Sequence, residues 1–167
     1  MVLLQIVFCT LLEDFFFYHF HKLFHVKYKY FPLYQWIHKQ HHEHKQPVLI
    51  ASQDAHPVEH FLANVMPSLL APILLGRSFH GFSVFSWGLV RIFHNIEGHS
   101  GYEFPWSPFR NLPFMTNAQF HDFHHSANVG NYSSMLNFWD TVYDTNTEFF
   151  EEYGGEYGFS EKKTKLA

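Results

Sequence analysis

The sequence holds one cysteine, Cys9, in 167 residues. A lone thiol excludes an internal disulfide framework and any zinc cluster built on several cysteines, so metal chemistry here must use histidine and carboxylate donors. Basic residues are also sparse: 11 Lys and Arg stand against 15 Asp and Glu, a formal net charge of −4. Nucleic-acid binding needs a basic patch or stripe, and that class is set aside on charge. Ahead of Glu13 there is neither a basic leader nor a small-residue cleavage site, so no secretory signal is read. Long apolar runs are missing too. Residues 1–12 are apolar from the start, yet fall short of the roughly 20 residues a helix needs to cross a bilayer core.

Aromatic rings and imidazoles are plentiful. With 47% hydrophobic and 16% charged residues the chain is neither disordered nor collagenous, and its length allows one domain. Its 21 Phe supply large apolar surfaces and, in a membrane protein, interfacial anchors. Histidine occurs 15 times, as often as Asp and Glu together, which solubility does not require.

Residues 1–25 predict one helix, apolar and then rich in aromatics and His, with no Pro or Gly to break it. A basic turn at 26–32 leads to a His-dense helix over 33–44, with Pro47 beyond it, and a loop at 52–59. Residues 61–75 and 79–93 predict two membrane-embedded helices joined by a turn at 76–78, interrupted by Pro67, Pro72 and Gly76. Each is shorter than an independent span, so a hairpin is expected, with Arg77 reaching the far interface. Periodicity also allows a pair of buried helices in a soluble core. A loop of Pro, Gly and aromatics fills 98–114, short helices follow at 116–125 and 133–143, and a polar tail begins at Glu148. The expected division is a domain over 1–145 and a tail over 146–167.

Three segments carry the chemistry: His21 and His25; His38, His41 and His42; and His121, His124 and His125. On a helix, positions i, i+3 and i+4 share a face, so each segment is expected to grip a metal from one side. One such pair alone is more often a packed core histidine than a ligand set. Packing gives no reason to repeat a titratable residue at coordination spacing in three segments. Eight imidazoles exceed the needs of one ion and suit two held side by side, while the ligand type leaves Zn, Cu, Fe and Ni open. Glu13, Asp14, Glu43, Glu97, Asp122 and Asp140 flank the clusters as carboxylates able to accept the second ring N–H of a ligand, Asp122 foremost. His19, His44, His60, His80 and His94 are expected at the surface or interface.

The order H-x-x-x-H, H-x-x-H-H, H-x-x-H-H resembles the three histidine boxes of the fatty acid hydroxylase and sterol desaturase superfamily. The surroundings are similar to its methylsterol monooxygenase branch: Glu13 and Asp14 before the first box, Tyr28-Lys29-Tyr30, Glu43, Ala55-His56-Pro57-Val58-Glu59, His99-Ser100-Gly101-Tyr102, Phe104-Pro105-Trp106-Ser107-Pro108, Leu112-Pro113-Phe114, Gly130-Asn131-Tyr132-Ser133-Ser134 and Trp139-Asp140. The likeness runs over 13–145. It implies an all-α fold, with integral-membrane helices and a cytosolic helical cap enclosing a histidine-ligated di-iron site, in a multi-pass protein of the endoplasmic reticulum membrane. It further implies molecular oxygen as co-substrate and electrons from a b-type cytochrome and its NAD(P)H-dependent reductase. His99 would join the boxes as a ninth ligand, with His56, Asn95 and Asp122 as further candidates for the metal or its surroundings.

The implied reaction is oxidation of a lipid C–H bond, foremost a sterol 4-methyl group. Hydroxylation of another sterol or acyl position, or a truncated relative that binds lipid or metal without turnover, are the alternatives. A metal transporter is poorly supported, because transport sites usually sit within spanning helices near the midplane. Three departures from the family pattern stand out: further membrane helices usually precede this region, Asp144 stands where Gly is usual, and Phe120 replaces a His common before the third box. Asn131-Tyr132-Ser133 forms a glycosylation sequon, expected to be unmodified in a cytosolic loop, and residues 163–167 resemble a retrieval signal of the endoplasmic reticulum.

Overall fold

The structure, a computed structural model, describes residues 1–46 and 48–153. All regular elements among them are helical, and the only β pairing is two isolated bridges, Tyr28 to Phe31 and Met115 to Leu136.

Helix α1 runs unbroken over Val2–Phe24, 23 residues without Gly or Pro, or about 34 Å at 1.5 Å per residue. Its buried residues are Gln5, Cys9, Glu13, Asp14, Tyr18, His21 and Phe24, spaced mostly three to five apart on one face. Leu3, Leu4, Val7, Phe8 and Leu11 face outward and exposed. The polarity is therefore inverted relative to a water-soluble helix. The twelve-residue limit expected from the sequence does not hold, because Glu13 and Asp14 turn inward to partners and the helix continues apolar on its outer side. The Glu13 carboxylate is 2.9 Å from the Arg91 guanidinium, and Asp14 accepts the backbone N–H groups of Met135 and Leu136 at 2.8 and 3.1 Å.

The second rod starts at α2, Pro57–Glu59, passes through a π-helical stretch, His60–Val65, and continues as α3, Met66–Leu75. It begins before the expected 61 because the His56 ring accepts from Val58 N–H at 3.2 Å and Pro57 occupies the first turn, where a missing N–H costs nothing. Pro67 does not stop it. The wider π turn just ahead absorbs the proline that a regular helix would reject. A short turn, Gly76–Ser78, leads into α4, Gly81–Gly98, so the hairpin expected between the two apolar stretches forms, with Arg77 exposed at its tip.

Helices α1, α3 and α4 pack together through Cys9, Ala71 and Trp87, joined by Met135. At the hairpin end Gln5 ties them: its amide donates to Ser78 O at 2.6 Å and its carbonyl accepts from the Ser83 hydroxyl at 2.6 Å. At the opposite end lie His21, Glu59 and His99. There the remaining segments form a layer: the π turn Tyr34–His38, 3-10 turns His41–Glu43 and Leu49–Gln53, then α5, Pro108–Asn111, α6, Ala118–Ala127, α7, Phe138–Val142, and α8, Thr147–Tyr153. The single helix expected over 33–44 is instead two tight turns of different pitch.

Residues 147–153, expected within a polar tail, form α8 because Phe149 packs against Phe120 and Phe123. That apolar pocket accounts for Phe120 where the family often has His. Asp144 has a φ of +53°, the left-handed conformation that favours the Gly usual at this position and that Asp tolerates. Asn131 of the sequon is fully buried and donates to Phe120 O at 2.9 Å, out of reach of modification in the folded chain. Residues 163–167 lie outside the described residues.

Candidate metal centre

The helical end brings nine imidazoles into two groups. His21, His25, His38, His42 and His124 form one, and His41, His99, His121 and His125 the other; within each, one nitrogen per ring lies within 4.8 Å of all the rest. The groups adjoin, the His42 and His125 ring centroids being 4.8 Å apart. All nine are the box residues and His99 singled out in the sequence. Their division differs from the expectation of one box, one side of one metal. Only the first box stays whole. His41 and His42, consecutive on a 3-10 turn, diverge by about 120° and enter different groups, and on α6 His121 and His125 join one group while His124 joins the other.

Backbone carbonyls fix the rings. The Nδ1 of His21 lies 2.8 Å from Tyr132 O, that of His99 2.9 Å from Asn95 O, that of His124 2.6 Å from Gly130 O and that of His125 3.0 Å from His44 O. A carbonyl accepts only, so each of these Nδ1 atoms carries the proton and the Nε2 lone pair points into the group. His38 is fixed by a carboxylate instead, its Nδ1 being 2.8 Å from Glu59 Oε1.

In the first group the inward Nε2 atoms form a closed square: His25 to His38 2.8 Å, His38 to His42 2.9 Å, His42 to His124 3.1 Å and His124 to His25 3.2 Å. In the second, His121 Nε2 lies 3.0 Å from that of His99 and 3.1 Å from that of His125. Lone pairs facing at such distances repel unless a cation sits between them. Protons are disfavoured there: burial lowers the pKa of His41 to about 4 and of His99 to about 3, and pulls those of His25, His38, His42, His121, His124 and His125 down as well. Neutral, converging and buried, the donor set suits two transition-metal ions, and the residues present fit them.

Other candidates fall elsewhere. His56 caps α2 and lies outside both groups, its Nδ1 engaged by Val58 N–H at 3.2 Å. Asn95 supports His99 through its backbone carbonyl, not its side chain. Among the described residues no imidazole hydrogen bond reaches Asp122, nor Glu13, Asp14, Glu43, Glu97 or Asp140. Asp140 acts at one remove, accepting from Tyr132 N–H at 2.8 Å and Ser133 N–H at 2.7 Å and so holding the carbonyl that orients His21. The carboxyl group that does meet a ring of the centre, Glu59, was quoted only as part of a motif. The one hint in the sequence was an acid at the start of a long apolar stretch. His94, expected at the surface, is buried, its Nε2 3.0 Å from the Thr116 hydroxyl.

A cavity opens beside the centre, walled by His21, His41, His99 and His121 together with Glu59 and Phe17. An outer groove between α3 and α4 meets it.

A helical scaffold with two facing sets of histidines defines a class of histidine-rich metalloprotein, and the sequence narrows it further. The fatty acid hydroxylase family model matches residues 6–145, and the chain belongs to that family. It is 40% identical over 144 residues to a methylsterol monooxygenase of Aspergillus fumigatus, covering 84% of this chain and 47% of that one. It is 34% identical over 158 residues to methylsterol monooxygenase 1 of Rattus norvegicus, covering 95% and 49%. A very-long-chain aldehyde decarbonylase of Oryza sativa is 38% identical over 151 residues, covering 89% and 54%. The chain thus spans about half the length of the curated relatives it matches. No solved structure matches it.

Proposed function

We propose that the chain is the metal-bearing part of a membrane-bound di-iron monooxygenase that oxidises a C–H bond of a sterol, foremost a 4-methyl group. The carrying observation is the convergence of nine neutral imidazoles in two adjoining groups. His21, His25, His38, His42 and His124 would hold one iron, and His41, His99, His121 and His125 the other. Two irons bound there supply the activation of dioxygen that oxidation of an unactivated C–H bond requires. The protein's own residues orient. Tyr132, Asn95, Gly130 and His44 carbonyls and the Glu59 carboxyl group aim the lone pairs, and the groove beside α3 and α4, with its wall of Val65, Leu69, Ile92 and Ile96, would hold the lipid against the second group. Electrons would come from a b-type cytochrome and its reductase, as the family resemblance implies.

The inverted polarity of α1 supports membrane insertion. Val2–Phe24 and Pro57–Ser78 are long and apolar enough to span, and only 28% and 22% of their apolar windows are buried, unlike core helices of a water-soluble protein. The arrangement fits a multi-pass protein of the endoplasmic reticulum with the histidine layer on the cytosolic side. A second reading, action on a long-chain aldehyde or acyl lipid, is favoured by the rice relative's name alone.

Two measurements test this. Anaerobically purified protein should carry two irons per chain; one or none in well-folded protein removes the dinuclear assignment. Cells lacking the protein should accumulate 4-methyl sterols that its expression clears, whereas a change confined to long-chain aldehydes would favour the second reading.

A further inference from the structure

The histidine cavity and the outer groove share four residues, Ser52, Asn64, Arg91 and Asn95, all of them polar. Outside this throat the groove is mixed, with Gln53, His60 and Ser68 among its lining and an apolar wall on the two helices. The apolar wall is Val65 and Leu69 of the second rod and Ile92 and Ile96 of α4, each pair spaced one helical turn apart. Inside it, three of the four histidines of the second group line the cavity.

The charges at the throat cancel. Arg91 is 2.9 Å from the buried Glu13 carboxylate and donates to Asn64 Oδ1 at 3.3 Å. The Asn64 Nδ2 and the Asn95 side-chain amide, by contrast, take no hydrogen bond among the described residues, while the Ser52 hydroxyl is engaged by Leu49 O at 2.8 Å. The free Asn64 Nδ2 and the free Asn95 amide beside a neutralised arginine suit a neutral hydroxyl or carbonyl. A carboxylate or phosphate would find its countercharge already taken.

Resting on the lipid-oxidation reading above, we infer that Asn64 and Asn95 form the head-group site of the substrate, and that the lipid lies in the groove with its polar atom at the throat. The substrate class is then a neutral lipid with a hydroxyl or carbonyl. What passes the throat toward His99 and His121 is the carbon next to that group, so the oxidised C–H bond lies one or two bonds from it. A sterol methyl group beside the ring hydroxyl meets this requirement, and the middle of an acyl chain does not. Asn95 is thus a specificity residue, and its side chain is not a metal ligand.

The test uses the full chain with its metal, in lipid nanodiscs, with binding read by displacement of a labelled sterol. The probes are a 3-hydroxy-4-methyl sterol, its 3-deoxy counterpart and palmitate. One hydrogen bond is worth a factor of about five in affinity, and the hydroxy sterol should outbind the deoxy sterol by about that much, with palmitate weakest. Asn95→Leu and Asn64→Leu should each erase the preference while leaving binding of the deoxy sterol and the iron content unchanged, and Asn95→Gln should keep part of it. Equal binding of both sterols by the unaltered protein overturns the head-group site and leaves the lipid-oxidation reading intact. Binding of neither sterol overturns both. Loss of iron in Asn95→Leu would make Asn95 a ligand and likewise overturn the inference.

Discussion

His124 Nδ1 and the carbonyl oxygen of Gly130 are 2.6 Å apart, and that contact sets the direction of a ring on which four other histidines converge. The carbonyl is where it is because Gly130 adopts a φ of +61° and because the next residue's N–H, on Asn131, bonds to Thr145 O at 2.9 Å. The turn after α6 and the start of the last segment are locked together, and the lock aims the imidazole.

Gly130→Ala should therefore damage both stability and metal binding. A Cβ there would sit 2.2 Å from Thr145 O, so the Asn131 to Thr145 contact must open. The left-handed conformation alone costs an L side chain about 1–2 kcal/mol. Thermal unfolding should shift down, and iron retention against a chelator should fall with it. Unchanged iron retention in a destabilised variant would show that the Gly130 carbonyl is dispensable to His124.

Glu59 gives a cleaner separation of metal binding from folding. Its carboxyl group lies 2.8 Å from His38 Nδ1, and among the described residues His38 is the one ring in either group held by an acidic side chain. Glu59→Gln keeps the shape and an acceptor oxygen but removes the acid. Partners of this kind typically contribute a factor of about 10–100 in metal affinity. Chelator titration should release one iron of the pair more easily, that of the group containing His38, and leave the other in step with the unaltered protein. Parallel loss of both would point to a general collapse.

How much of this was legible in the sequence depended on whether a contact is local. Eight of the nine histidines were, because i, i+3 and i+4 spacing survives in any tight helical turn, while His99 came only from the family resemblance. Their division was not: His41 and His42 separate only because residues 34–43 form a π turn followed by a 3-10 turn, and nothing in their composition distinguishes these from an α-helix. Glu59 lies 21 residues from His38, beyond any helical pattern. Glu13 and Asp14 read as the end of an apolar run, since their partners Arg91, Met135 and Leu136 are remote in sequence. The seat of Phe149 on Phe120 and Phe123 was hidden in the same way.

Membrane association can be tested without reference to activity. Mean hydropathy is −0.17, a value that would suit a soluble protein. The outward faces of α1, α3 and α4 nonetheless expose Leu3, Leu4, Ile73, Leu74, Phe82 and Phe85, each at least 61% accessible. Alkaline carbonate washing should leave the protein in the membrane pellet, and Leu4→Lys with Phe85→Lys should shift it toward the wash. Release of the unaltered protein into the supernatant would mean that these faces are covered by protein and not by lipid.

The sharpest comparison is between two histidines only two positions apart. His42 contributes its Nε2 to the square of the first group, 2.9 Å from that of His38 and 3.1 Å from that of His124. His44 points away: its Nε2 is 2.9 Å from Asp54, half-exposed, and it serves the centre only through its backbone oxygen, which lies 3.0 Å from His125 Nδ1. His42→Ala should cost an iron and abolish lipid oxidation, because an open coordination position changes the geometry the reaction needs. His44→Ala keeps the carbonyl and removes only a surface contact to Asp54, so oxidation and iron content should stay within about two-fold of the unaltered protein. Both variants belong to the same short segment, and a loss of folding there would strike both alike. If His44→Ala proved as damaging as His42→Ala, ring identity would not be what matters in this segment, and the two-group metal centre would have to be abandoned.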